Sequence, residues 1–187
     1  MLNKTLVIGL AGEIASGKGA TSKYLAQKYN AIEYKFSGIL EDILNRVHIE
    51  KNRENFTKLS IGLRKYYGQD ILAYALAEDI KKAGRHIIIV DGIRRKADLK
   101  YLKELDNFIF VFITADVKVR YERLIARNEK QDDQTKTFEQ FQKDAQLETE
   151  VTINEMKGLA DVIVDNNNSL EALYEQIDNI ISTKIDK

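Results

Sequence analysis

The run Thr5-Leu6-Val7-Ile8-Gly9-Leu10 leads into Gly12-Glu13-Ile14-Ala15-Ser16-Gly17-Lys18-Gly19, and a helical pattern follows. A buried strand feeding a glycine-punctuated turn and then a helix is the context in which Gly-x-x-x-x-Gly-Lys binds phosphate. Between Gly12 and Gly17 the backbone can wrap an anion with its N–H groups inward, because glycine accepts the angles this requires. Lys18 adds a mobile cation for the β- and γ-phosphates, and the following helix adds the partial positive charge of its N-terminus. The plainer alternative is a glycine-rich strand-to-helix turn with a surface lysine. The strand–loop–helix context favours the nucleotide reading, with Gly12, Ala15, Ser16, Gly17, Lys18, Gly19, Ala20 and Thr21 forming the cradle.

One position departs from the usual pattern. The Ser or Thr that commonly follows the lysine and ligates Mg²⁺ is Gly19, and the first hydroxyls come at Thr21 and Ser22. Adenylate kinases also read Gly-Lys-Gly and hold the metal largely through water and substrate phosphates, as Mg²⁺ does readily. Their next residue is usually Thr, where this chain has Ala20. Thr21 is therefore a candidate metal ligand, and so is an acidic residue further along.

Outside the loop, the composition narrows the classes. A chain of 187 residues suits one domain with its own core. Basic and acidic residues balance at 29 each, which gives no electrostatic footprint for nucleic acid. With no cysteine, disulfides and thiolate metal sites are excluded. The first residues carry no signal-peptide pattern, and no apolar run approaches the roughly 20 residues of a membrane helix. A cytoplasmic protein without a membrane partner is the expectation.

Strand-like runs recur at Thr5–Leu10, Ala31–Phe36, His86–Val90, Phe108–Ile113 and Asp161–Val164, with helical patterns between them. This alternation predicts an α/β fold with a five-stranded parallel sheet flanked by helices. His86–Val90 and Phe108–Ile113 are apolar almost throughout rather than alternating, as central strands covered on both faces are. Helices are expected at Gly17–Tyr29, Ser37–Val47 with Ser37 as N-cap, Phe56–Tyr67, Ile71–Ala83, Asp116–Arg127, Phe138–Met156, and after a Ser169 cap. About fifty residues of helix between the second and third strands exceed one crossover. Residues 37–84 are therefore expected to form a helical insertion that binds an acceptor. The polar run 128–137 lacks apolar anchors and falls within an expected short lid, residues 120–145.

Two constellations carry candidate chemistry. Asp91 ends the third strand in Val90-Asp91-Gly92-Ile93-Arg94-Arg95, at the edge where open α/β sheets bind ligands. It either holds Mg²⁺ through water or orients the acceptor; a helix cap or a salt bridge to Arg94 or Arg95 is the structural alternative. Arg94 suits bidentate recognition of phosphate. Arg120, Arg123 and Arg127 follow at spacings of three and four, on one helical face ahead of the polar run. Such a stripe either neutralises a transferring phosphoryl group as a lid closes or pairs with Asp116, Glu122 and Glu129 at the surface. Arg64 beside Tyr66-Tyr67 is a further acceptor candidate, with ordinary packing as the alternative. Asn166, in Asp165-Asn166-Asn167-Asn168, either meets a purine edge or simply makes a turn.

The assembled residues resemble P-loop kinases of small molecules. Gly9 to Lys18, and Ala160-Asp161-Val162-Ile163-Val164-Asp165-Asn166 with Ser169-Leu170-Glu171, are similar to the two ends of dephospho-CoA kinases. Asp91-Gly92-Ile93-Arg94 and Phe36-Ser37-Gly38-Ile39-Leu40 look more like nucleoside or deoxynucleoside monophosphate kinases. Arg123 and Arg127 match the arginine pair ahead of the adenylate-kinase lid. The resemblance implies one P-loop kinase domain over 1–187, with ATP as donor, Mg²⁺ as cofactor and a nucleotide-like small molecule as acceptor. It assigns Lys18, Asp91, Arg123 and Arg127 to catalysis and Ser37, Arg64, Asp91, Arg94 and Arg120 to the acceptor. Asn166 joins the donor site. Dephospho-CoA is the alternative acceptor, and a P-loop ATPase acting as a regulatory switch is the alternative from another class.

Overall fold

In the computed structural model, residues 5–84, 86–127, 136–144 and 148–185 are described, and of residues 127, 148–151, 154 and 185 only the backbone. Five strands, β1 (Leu6–Gly12), β2 (Ile32–Lys35), β3 (Ile87–Asp91), β4 (Phe108–Thr114) and β5 (Val162–Asp165), form one parallel sheet in the order β2-β3-β1-β4-β5. The expected strands are all present. The burial of each follows its rank in the sheet. β1 is buried at every residue, while the edge strands β2 and β5 have alternating or mixed exposure. The two apolar runs singled out as central, β3 and β4, each have a neighbour on both sides.

The chain divides into two compact units. The first comprises the chain up to Gly9 together with Ala26–Ile109. In it β2 pairs with β3 in register, Ile32 with Ile88 through to Lys35 with Asp91. Helices α2 (Phe36–Arg46), α3 (Arg53–Tyr67) and α4 (Ile71–Lys82) fill the span between these strands. Helix α4 buries Leu72, Ala73, Leu76, Ala77 and Ile80, a stripe at helical spacing. Asn52 caps α3, its side chain accepting from the N–H of Asn55 at 2.9 Å. The expected cap at Ser37 is a correction: the chain enters α2 directly from β2 with Lys35 at the N-cap and no side-chain cap bond. Phe36 is buried, and seating it draws the helix start ahead of Ser37, which is exposed.

The second unit comprises Leu10–Leu25 and Phe110 onward. It contains α1 (Lys18–Tyr29, through Leu25), α5 (Val117–Arg127), α6 (Phe138–Asp144), α7 (Glu148–Lys157) and α8 (Leu170–Ile185). Strand β5 pairs with β4 in register, Val111 with Val162 through to Thr114 with Asp165, and just ahead of it Asp161 N–H donates to the Phe110 carbonyl and Phe110 N–H to the Asp161 carboxylate. Ser169 caps α8 as expected, accepting from the N–H of Ala172 at 3.3 Å. The single expected helix over Phe138–Met156 is described as α6 and α7. Thr137 and Gln140 exchange side-chain and backbone bonds at the start of α6, a capping box that orders this entry. Tyr121 of α5 lies edge-on to Phe138 and donates its hydroxyl to the Lys136 carbonyl. Most of the polar run 128–137, and with it part of the expected lid, lies outside the described residues.

Candidate functional site

The phosphate loop belongs to the second unit, and its own backbone sets its shape. Gly12 and Gly17 have φ of +151° and +114°, and Ala15 sits at +60° without being glycine. Holding an alanine in the left-handed region costs about 1–2 kcal/mol, and strain of this kind collects where a loop must present its amides. Ser16 N–H turns back onto the Glu13 carbonyl, and Thr21 N–H is taken by the Gly17 carbonyl. The amides of Lys18, Gly19 and Ala20 precede the first helical bond and point out of the helix end, as the opening donors of any helix do. Lys18 Nζ donates to the carbonyls of Gly12 at 2.7 Å and Glu13 at 2.9 Å, folding its charge over the loop.

Buried polar atoms in and beside the loop lack partners. Ser16 Oγ, Glu13 Oε2 and Asn166 Oδ1 are buried with no hydrogen bond, although such groups are ordinarily satisfied. Glu13 Oε1 accepts from the Thr114 hydroxyl at 3.2 Å. A Cβ on Gly19 would meet nothing within 4 Å. Strained backbone, outward amides, a folded-over lysine and open space at Gly19 fit a bound polyphosphate.

Asn166 and Arg123 tie the loop after β5 to this cradle. Asn166 Nδ2 donates to the Ser16 carbonyl at 2.8 Å, and Asn166 is buried. Arg123 donates to the carbonyls of Asn166 at 2.7 Å and Asn168 at 3.1 Å. Asn167 Oδ1 accepts from Asp116 N–H. All three asparagines are therefore engaged, more than a plain turn requires. Arg120 is buried, donating to the carbonyls of Ala115 and Ile14 with its guanidinium over the Phe141 ring. Both arginines thus meet backbone carbonyls, not the carboxylates of Asp116 and Glu122. The Arg127 side chain lies outside the described residues.

The acceptor candidates other than Arg120 belong to the first unit. Asp91 ends β3 half-buried, and Gly92 follows at φ +90°. Opposite Asp91 in register is Lys35, which is hydrogen-bonded to Glu33 at 2.8 Å. That bond, with the negative charges of Glu33 and Asp91, holds the Lys35 ammonium above the ordinary lysine range against a smaller opposing cost of burial. Arg94, Arg95 and Lys96 are exposed. Arg64 is buried, its Nη2 bonded to Asp98 Oδ1 at 2.8 Å and its Nη1 to the Gln69 carbonyl. Asp98 was not among the residues expected from the sequence. The acid three positions into the short 3₁₀ turn Lys96–Leu99 was the available signal. Tyr66 and Tyr67 are exposed, and Ser37 lies in the first turn of α2.

Two residues were candidates for Mg²⁺. Thr21 is buried, and its hydroxyl donates to the Gly17 carbonyl one turn back. Asp91 supplies a carboxylate at a strand end. Among the described residues no group of three His, Cys, Asp or Glu side chains could hold a metal ion. Among the described residues, no helix is long and apolar enough to cross a membrane.

A parallel α/β sheet with Gly-x-x-x-x-Gly-Lys between its first strand and first helix defines a P-loop nucleotide-binding protein of kinase-like fold. The chain belongs to the AAA domain family, whose pattern matches residues 11–142. A UPF0200 protein of Staphylothermus marinus is 27% identical over 184 residues, covering 98% of this chain and 95% of that protein. A UPF0200 protein of Methanocaldococcus jannaschii is 28% identical, covering 94% of this chain and 89% of that protein. Among solved structures, shikimate kinase from Bacteroides thetaiotaomicron superposes with a TM-score of 0.60 at 16% identity, over 95% of this chain and 98% of that one. An uncharacterized protein from Eubacterium ventriosum superposes with a TM-score of 0.63 at 18% identity, over 96% of this chain and 99% of that one. Likeness at these identities concerns the fold.

Proposed function

We propose that this protein transfers the γ-phosphoryl group of ATP to a nucleoside or deoxynucleoside monophosphate. The observation that carries the proposal is the strained loop from Gly12 to Lys18, with its outward amides and folded-over lysine. Phosphoryl transfer asks a protein mainly for positioning and charge neutralisation, which is what such a loop supplies. Lys18 exchanges its two carbonyl partners for the β- and γ-phosphate oxygens. Ser16 Oγ, buried without a partner, is a donor for the same group. Asn166 holds the Ser16 carbonyl and so keeps the loop's curvature while phosphates bind.

On the acceptor side, Arg94 offers a planar fork for a phosphate, and Ser37 lies in α2 of the helical insertion. Asp91 is the residue for the metal or the acceptor; bound Mg²⁺ supplies neutralisation of the phosphate oxygens. Little base chemistry is needed when the acceptor oxygen already belongs to a phosphate. Arg127 with Arg123 supplies positive charge toward the group in transfer, and the bonds of Arg123 to the 166–168 loop leave further guanidinium donors for that use.

A coupled ADP-release assay across the common ribo- and deoxyribonucleoside monophosphates, with dephospho-CoA as a further acceptor, tests the proposal. ATP turnover stimulated by a monophosphate is the expected result. Turnover with dephospho-CoA alone would replace the acceptor, and hydrolysis indifferent to every acceptor would favour a nucleotide switch.

A further inference from the structure

The turn that follows β3 carries three successive cations, Arg94, Arg95 and Lys96, all exposed. Its backbone is held from the protein side by one carboxylate. Asp98 is buried, and its Oδ2 accepts the N–H groups of Arg94 and Arg95, each at 3.1 Å. Its Oδ1 accepts Arg64 Nη2 at 2.8 Å, so both oxygens are occupied. Arg64 also donates to the Gln69 carbonyl, while its Nε is buried with no partner. A buried ion pair with an orphaned donor adds little stability beyond what two apolar side chains would give, and its better-attested use is to fix one geometry. The geometry fixed here is the extended backbone at Arg95, φ −135° and ψ 152°, three residues after Gly92 at φ +90°. Three adjacent like charges on a fixed backbone repel one another until an anion joins them. The anion suited to two guanidinium forks and an ammonium is a phosphomonoester dianion.

We propose that Asp98 is the positioning residue of the acceptor subsite, presenting Arg94 and Arg95 to the phosphate of the acceptor, and that Arg64 acts through Asp98 without touching substrate. The proposal rests on the monophosphate-kinase reading above and assigns to the Arg94–Lys96 turn the recognition of a phosphate already present on the acceptor.

The test uses whichever of AMP, CMP, GMP, UMP and dTMP the wild-type protein phosphorylates fastest. Asp98→Glu keeps the charge opposite Arg64 but displaces the carboxylate that receives the two N–H groups. The double variant Arg64→Met with Asp98→Asn removes both charges of the pair together and avoids stranding either one. In each, the KM for the acceptor should rise about tenfold or more, with kcat and the KM for ATP within about twofold of wild type. A purely structural role would instead move both KM values and kcat together with the melting temperature, and that result overturns the proposal. An unchanged acceptor KM in the folded double variant overturns it while leaving the kinase reading intact. Failure of the wild-type protein to phosphorylate any monophosphate overturns both.

Discussion

Replacing Gly17 by alanine tests whether the phosphate loop is held by its own geometry. A Cβ at this position would overlap Asn166 Nδ2, and the backbone sits at φ +114°, where an L-residue is strained. The strain costs about 1–3 kcal/mol. Pushing Asn166 aside breaks its 2.8 Å bond to the Ser16 carbonyl and strands buried polar groups, a further cost of about 1–3 kcal/mol. The sum of roughly 4 kcal/mol is a large part of the 5–15 kcal/mol typical of whole proteins. With a urea slope near 2 kcal/mol/M, the midpoint should fall by about 2 M, read by circular dichroism without nucleotide. Gly19→Ala is the internal control, because its added methyl meets nothing within 4 Å. It should hold or raise the midpoint by about 0.5 M through the better helix propensity of alanine. A Gly17→Ala midpoint within about 0.5 M of wild type would refute the steric reasoning.

Lys18→Ala should abolish ATP turnover and leave the urea midpoint close to wild type, since the ammonium spans two loop carbonyls and fills no core space; retained turnover would remove the lysine from the mechanism. Arg123→Ala removes two bonds to the loop at Asn166–Asn168, so the KM for ATP should rise about fivefold or more alongside a fall in kcat. A loss confined to kcat would restrict the arginine to the transferring group. Lys100 donates to the Asp70 carboxylate at 2.6 Å and holds its pKa below the ordinary value. A lowered folded pKa stabilises above the unfolded value and loses that contribution as pH falls through the folded one. The midpoint difference between wild type and Asp70→Asn should therefore be present at about pH 6, vanish by about pH 2, and shrink in 1 M salt. A difference that persists at pH 2 would contradict the ion pair.

The fold was legible in the sequence because the strand-like runs recur between helical patterns. The uninterrupted apolar runs at Ile87–Val90 and Phe108–Ile113 could only be covered on both faces, and the sheet order places them inside. Helix starts were less legible. Ser37 had the chemistry of a cap, but burial of Phe36 outweighed it. At the site, the phosphate loop was readable because its glycines and lysine lie within eight residues. The partners of the arginines were not, since Arg64 meets a carboxylate 34 positions away and Arg123 meets a carbonyl 43 positions away. Pairings of that range depend on how helices turn in three dimensions, and a charge pattern along one helix face does not report them.

The bond between Asn166 and Ser16 joins residues 150 positions apart. During synthesis the loop emerges 150 residues ahead of its clasp. At about 5–20 residues per second, some 8–30 s separate the two on the ribosome. Through that interval Ser16 has no Asn166 to hold its carbonyl, and the nascent chain carries a P-loop sequence without the completed cradle. The proposed cradle is thus complete only once Asn166 has emerged, 150 residues after the serine it holds.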